Sequence, residues 1–272
     1  MDEIIIEPNK SLKRFWQELW AYRELFYFLA WKDILVRYKQ TVIGIAWSVL
    51  RPLLSMIILT IIFGGIAKLP SGNTPNPILV YVAMLPWQFF SNTLNLSANS
   101  LISNRNMITK VYFPRIIIPS TSMVVSLVDF LISFMILVCL MLWYGLWPNW
   151  KILVLPLLLV LAALTSLGAG YWIGALNVKY RDFRHIVPFI VRFGLYASPV
   201  GFSSNLVPEK WRLLYSLNPM VGIIDGFRWA LLGKEVNLYL PGFLVSIGLA
   251  MMLFVTGALF FIKTERKFAD II

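Results

Sequence analysis

The 272-residue sequence contains one cysteine, Cys139, and one histidine, His185. A single thiol cannot close a disulfide within the chain, and one Cys and one His far apart supply no metal-ligand set. Cys139 lies inside an apolar run and reads as a packing residue, while His185, in KYRDFRH, reads as a surface residue. There is no G-x-x-x-x-G-K-[ST] loop whose backbone N–H groups could cradle nucleotide phosphates. The nearest string, Gly233-Lys234-Glu235, lacks the leading glycine and the hydroxyl. H-E-x-x-H and G-x-S-x-G are missing too, so neither metalloprotease nor serine-hydrolase chemistry is on offer. The chain is expected to be no enzyme and to bind no cofactor of its own. Acidic residues are scarce, 13 against 24 Lys and Arg. The first ten residues, MDEIIIEPNK, hold no long apolar run, so no cleavable signal peptide is expected and the first span does the targeting.

Apolar residues make up 59% of the chain and charged ones 14%, more apolar surface than a soluble core of this size could hide. The chain therefore belongs in a bilayer. Its net charge of +11 would suggest nucleic acid in a soluble protein. Here the basic residues flank apolar runs, where they set orientation and meet anionic headgroups, so no nucleic-acid partner is expected.

The pattern predicts an all-α membrane protein in two parts, an amphipathic amino-terminal helix within residues 1–40 and a six-span domain over 41–272. In residues 11–30, Leu12, Phe15, Trp16, Leu19, Tyr22, Phe26 and Leu29 recur at spacings of three and four. That face fits a helix lying in the membrane interface, or one packed on another subunit. Spans are expected at residues 42–67, 78–96, 116–144, 152–176, 186–206 and 240–262. Residues 220–232 are too few to cross and, between Asn218-Pro219 and Gly233, read as a helix that dips in and returns. Lys and Arg concentrate before the first span, between the second and third, between the fourth and fifth, and after the last. That bias puts both termini in the cytoplasm.

Two charges lie at depth. Asp129 is well inside the third expected span and Arg51 precedes Pro52 in the first. Their similar depths from the cytoplasmic side predict that they neutralise each other, directly or through water. Between the second and third spans, NRNMITKVYFPRIIIP (residues 104–119) carries Arg105, Lys110 and Arg115 and no acid. A short basic helix at the mouth of two spans is a lever on which a cytoplasmic partner could push.

RYKQTVIGIAWSVLRPL (residues 37–53), NRNMITKVYFPRIIIP, NVKYRDFRHIVPF (177–189), SPVGF (198–202) and LNPM (217–220), in this order after an amphipathic helix, resemble the membrane subunit of type-2 ABC exporters. The similarity is greatest to the branch exporting O-antigen, capsule or teichoic-acid chains. It implies that residues 104–119 form the coupling helix that docks into a separate ATPase, with Arg105, Met107, Lys110, Tyr112, Phe113 and Arg115 at the contact. ATP and Mg2+ would be bound by that partner. It implies two copies of this chain with two ATPases, membrane lipids around them, and a lipid-linked glycan as substrate. Residues 198–232, with Pro199, Asn218 and Pro219, would close the outer end of the conduit.

A sliding sugar chain needs many weak, similar contacts, which aromatic faces offer. Trp87, Phe89 and Phe90 in LPWQFF are therefore expected on the conduit wall, against the alternative that they belong to an ordinary interfacial belt. Arg37, Lys39 and Arg51 are placed to receive a lipid-linked pyrophosphate, or, in the case of Arg37 and Lys39, merely obey the orientation rule. A permease for a small amphiphile and an autonomous channel or carrier remain as alternative functions.

Overall fold

The computed structural model describes residues 12–39, 44–69, 74–147, 149–180, 182–233, 238–265 and 268. Among these the chain is helical, without strands. Two helices, α1 (Leu12–Ala21) and α2 (Arg23–Lys39), precede the first long one. α3 (Gly44–Leu59) contains Pro52 and continues as a π-helical turn, Thr60–Ile66. Then come α4 (Asn76–Ser103), a single turn α5 (Arg105–Ile108), α6 (Ile117–Trp143) and α7 (Leu155–Lys179). α8 (Phe183–Ala197), α9 (Glu209–Tyr215) and α10 (Pro219–Leu232) are shorter, and α11 (Leu240–Glu265) is the last long helix.

Four stretches among the described residues are long and apolar enough to cross a bilayer: Ala46–Ile66, Ile117–Trp143, Trp150–Lys179 and Leu240–Glu265. Two of the six expected spans are not among them. The fifth, over residues 186–206, is corrected to the 15-residue α8 followed by a bend and a 3-10 turn, Ser204–Leu206. At 1.5 Å per residue α8 is about 22 Å long, short of a ~30 Å hydrocarbon core. The second, at residues 78–96, lies in a helix long enough, α4, but one interrupted by Gln, Ser and Asn. α4 is the hub of the fold, packed against α3, α6, α7, α8 and α10. Every residue from Ile78 to Trp87 is buried, so the protein, not lipid, is its solvent.

The buried side chains form two clusters. The larger one surrounds α4, where Phe89, Phe130 and Phe227 meet edge to face at about 6 Å and tie α4, α6 and α10 together. The smaller one lies at the end of the bundle that carries α5. There Ile108, Phe113 and Ile116 pack with Leu101, Tyr171, Phe261 and Phe268, and with Leu29 of α2. α7 and α11 approach most closely at two glycines, since a Cβ on Gly257 would stand 2.3 Å from the Gly168 carbonyl oxygen. Backbone cannot yield as a side-chain tip does. Gly257→Ala is expected to destabilise the chain by about 3 kcal/mol. Gly248→Ala, in open space on the same helix, is the control. Equal unfolding temperatures in detergent would disprove the close contact.

Candidate functional site

The end of the bundle that holds α5 gathers most of the charge noted in the sequence. The expected basic helix over residues 104–119 is shorter than foreseen: one helical turn, Arg105–Ile108, then a turn through Pro114 into α6. It has two faces. Arg105, Lys110 and Tyr112 are exposed and Met107 is half-buried, whereas Ile108 and Phe113 are buried in the smaller cluster. Arg115 faces inward, its guanidinium donating to the Glu265 carbonyl oxygen at the end of α11. The carboxylate of Glu265 accepts from the Arg115 backbone N–H at 3.2 Å. On the other side, Lys32 donates to the Asn104 side-chain oxygen at 3.2 Å, and the Tyr22 hydroxyl reaches the Tyr112 carbonyl at 3.4 Å. The elbow is thus seated on α2, α7 and α11.

The apolar face expected of the amino-terminal helix divides differently. Leu19, Tyr22 and Phe26 pack against the elbow cluster that contains Leu29, while Trp20, Tyr27, Phe28 and Trp31 are exposed. A break at Tyr22 separates α1 from α2, and α2 runs on to Lys39. The side chains of residues 12–16 lie outside the described ones.

The expected pairing of Arg51 with Asp129 is corrected. Asp129 makes its ion pair with Arg37, at 2.6 Å, and accepts a hydrogen bond from the Tyr38 hydroxyl and a long one, 3.5 Å, from Asn92. Asp129 is twelve residues into α6, so about 18 Å along it. The carboxyl end of α2, packed on α6, and the length of an arginine side chain close that distance. Arg51 is exposed on α3 and reaches the carboxylate only through its field. Lys39 is exposed at the end of α2.

Beside this cluster a cavity of about 330 Å³ opens between α2, α4 and α6. Asp33 and Arg37 line it from α2, Ser100, Ser103 and Asn104 from the end of α4, and Ser122 from α6.

Trp87, Phe89 and Phe90 do not face open space. They are 4%, 2% and 7% exposed, packed in the larger cluster, with Trp87 against Gly194 of α8. Mid-helix aromatics on the hub are surrounded on every side, so they fill the core and offer no free ring face. The exposed rings are elsewhere: Phe189, Phe193 and Tyr196 form a stripe along α8, the first two 4.2 Å apart. Cys139 is exposed on α6, not packed as expected.

At the far end, Asn218 caps α10, its side chain accepting from the Met220 N–H at 3.1 Å and donating to Ser198 at 2.9 Å. Pro219 takes the first helical position, where a missing N–H costs nothing. Pro199 is buried beside them. The residue that sequence reading missed is Arg228. It is 1% exposed and donates to three carbonyls: Phe202 at 2.7 Å, Val200 at 3.0 Å and Leu79 at 3.4 Å. One side chain thereby ties the loop after α8 to α10 and α4. Its only advance sign was an arginine three residues after Asp225 in a short apolar segment.

The described residues thus place a basic elbow seated across the bundle at one end, a pinned loop at the other and a polar cavity between α2, α4 and α6. The sequence profile of the family described as ABC-2 type transporter matches residues 24–232. The chain is 31% identical over 215 residues, 78% of its length and 82% of the relative's, to the O-antigen export system permease protein RfbA of Myxococcus xanthus. To a Klebsiella pneumoniae protein of the same name it is 28% identical over 252 residues, covering 89% of this chain and 92% of that one. The chain belongs to the ABC-2 type transporter family, as a multi-pass membrane component.

Proposed function

We propose that this chain is the membrane subunit of an ATP-driven exporter of O-antigen-type polysaccharide, carried on a lipid across the cytoplasmic membrane. Two copies pair with two ATPase subunits, which bind ATP and Mg2+. The observation that carries the reading is the elbow: Arg105, Lys110 and Tyr112 point outward while Ile108 and Phe113 anchor it to helices that cross the membrane. An exposed basic surface on a well-seated lever is what a separate energy-supplying subunit would need. The names of the relatives support the glycan as cargo. α4, and α8 continued by the bend and turn over residues 198–206, would complete six membrane segments, α9 and α10 would form the re-entrant outer gate, and exposed Trp20, Tyr27, Phe28 and Trp31 would rest α1 and α2 in the inner leaflet. The ring faces for sugar stacking are assigned to Phe189, Phe193 and Tyr196 of α8 in place of the buried Trp87, Phe89 and Phe90.

Lys110→Ala with Tyr112→Ala tests the lever. Both side chains are exposed, so the unfolding temperature should hold while coupled ATP hydrolysis and glycan export fall about tenfold or more, the loss of one or two interfacial anchors. Export by liposomes holding this chain without an ATPase would refute the reading. So would a deletion strain that accumulates no lipid-linked glycan on the cytoplasmic side.

A further inference from the structure

A helix of a membrane protein ordinarily buries its small or polar face and turns its apolar face to lipid. α6 does so: Leu131, Met135, Val138, Leu142 and Trp143 are its exposed large side chains. α4 does the reverse. Between Ile78 and Asn99 the positions that are not buried are Gln88, Ser91, Asn92, Asn95, Leu96 and Asn99. Five of those six are polar, and Asn95 is the most open of them.

Gln88, Asn92, Asn95 and Asn99 follow one another at steps of four, three and four, so their amides rise along one face about 6, 4.5 and 6 Å apart. Amides turned to hydrocarbon without partners are costly, so this face must meet water, a polar ligand or another polar helix face. Its two ends meet polar ground already. At the α5 end it runs into the cavity lined by Asp33, Arg37 and Ser103. At mid-helix Asn92 touches Asp129, whose charge Arg37 offsets. Part of the ladder is pre-ordered, since Asn99 donates to the side-chain and backbone oxygens of Asn95 at 3.1 and 2.9 Å and receives Asn177 at 3.5 Å.

We infer that this amide ladder is a hydrated track for the hydroxyl groups of a glycan, leading from the cavity between α2, α4 and α6 toward the middle of the membrane. The inference rests on the glycan reading proposed above. A primary amide offers two donors and an acceptor in one plane, which suits neighbouring sugar hydroxyls. Its neutrality matters as much. A formal charge would hold one sugar too long, whereas amides exchange each hydrogen bond for one with water at little net cost. Successive rungs lie about one sugar ring apart, so a chain can pass from one to the next without release.

The lone native thiol makes the test clean. In a Cys139→Ser background, with the partner ATPase present in native membranes, Asn95→Cys and Asn99→Cys are compared with Met135→Cys. A charged, membrane-impermeant methanethiosulfonate should modify the α4 positions at least about tenfold faster, because only a hydrated thiol ionises. Equal rates overturn the inference. So does a spontaneous Asn95→Cys disulfide between two copies that blocks labelling, which would make the face a seam between protein chains. In a second arm, Asn95→Leu with Asn99→Leu should lower glycan export about tenfold, while Asn95→Gln with Asn99→Gln restores it. ATP hydrolysis in detergent should stay the same in both pairs. Rapid labelling with undiminished export in the leucine pair would overturn the track. If the unaltered transporter moves no glycan, the cargo reading fails while the labelling still reports whether the face is wet.

Discussion

Arg37→Leu should destabilise the folded chain by about 3 kcal/mol, the low end for a buried pair, because it leaves the Asp129 carboxylate, only 12% exposed, without its countercharge. Asp129→Asn should cost less, about 1–2 kcal/mol. The amide can still accept from Tyr38, and the freed Arg37, 31% exposed, can reach water or headgroups. Combining Arg37→Leu with Asp129→Leu should recover part of the loss, giving a coupling energy above about 1 kcal/mol. Arg51→Gln, which removes no contact to Asp129, should add to Asp129→Asn within about 0.5 kcal/mol. Unfolding titrations in mixed detergent micelles supply all of these quantities. A large coupling to Arg51 with additive behaviour at Arg37 would reverse the assignment. Because the pair fastens α2 to α6, its loss should also loosen the elbow that α2 supports through Lys32 and Tyr22. Faster proteolysis near residue 110 in the Arg37→Leu chain would register that.

An effect of similar size is expected at the opposite end. Arg228→Leu unpairs the carbonyls of Leu79, Val200 and Phe202 together and strands Asp225, buried one turn earlier in the field of the same guanidinium. Breaking such a buried arrangement costs about 3–5 kcal/mol. Arg228→Lys keeps the charge, but one ammonium cannot serve three carbonyls held in fork geometry, so it should recover only part. Asp225→Asn beside Arg228→Leu should relieve the stranded charge and recover some stability. Function should suffer along with stability, since Arg228 also fixes Gly201. A Cβ at Gly201 would lie 2.1 Å from the Phe63 ring, so the loop and the π-helical end of α3 fit only in this placement. Unchanged unfolding temperature and export in Arg228→Leu would show that the outer loop does not depend on this pin.

How far the sequence could be read varied with the kind of signal. Long apolar runs located α3, α6, α7 and α11 to within a few residues, because a helix facing lipid must be apolar along its length. The same rule failed for residues 186–206, where Pro199 holds Ser198 in an extended conformation and ends the helix at Ala197. The basic elbow was visible as a charge pattern, but its two faces were not, since seating Phe113 needs Phe261 and Phe268 from the far end of the chain. The amide spacing 88, 92, 95, 99 was present to be seen. It carried no reading of its own beside the expected span at residues 78–96, because nothing local says which face of a helix is left uncovered.

Composition, apolar run length and the order of short motifs by themselves determined that the chain is a helical membrane protein of this transporter family with a basic elbow. They do so because bilayer thickness and charge asymmetry act on local segments. Only the tertiary structure decided which arginine neutralises Asp129, that Trp87, Phe89 and Phe90 are core, that Arg228 pins the outer loop, and that α4 turns its amides outward. Each of these depends on which helix stands beside which, and that is set by packing among residues far apart in the chain.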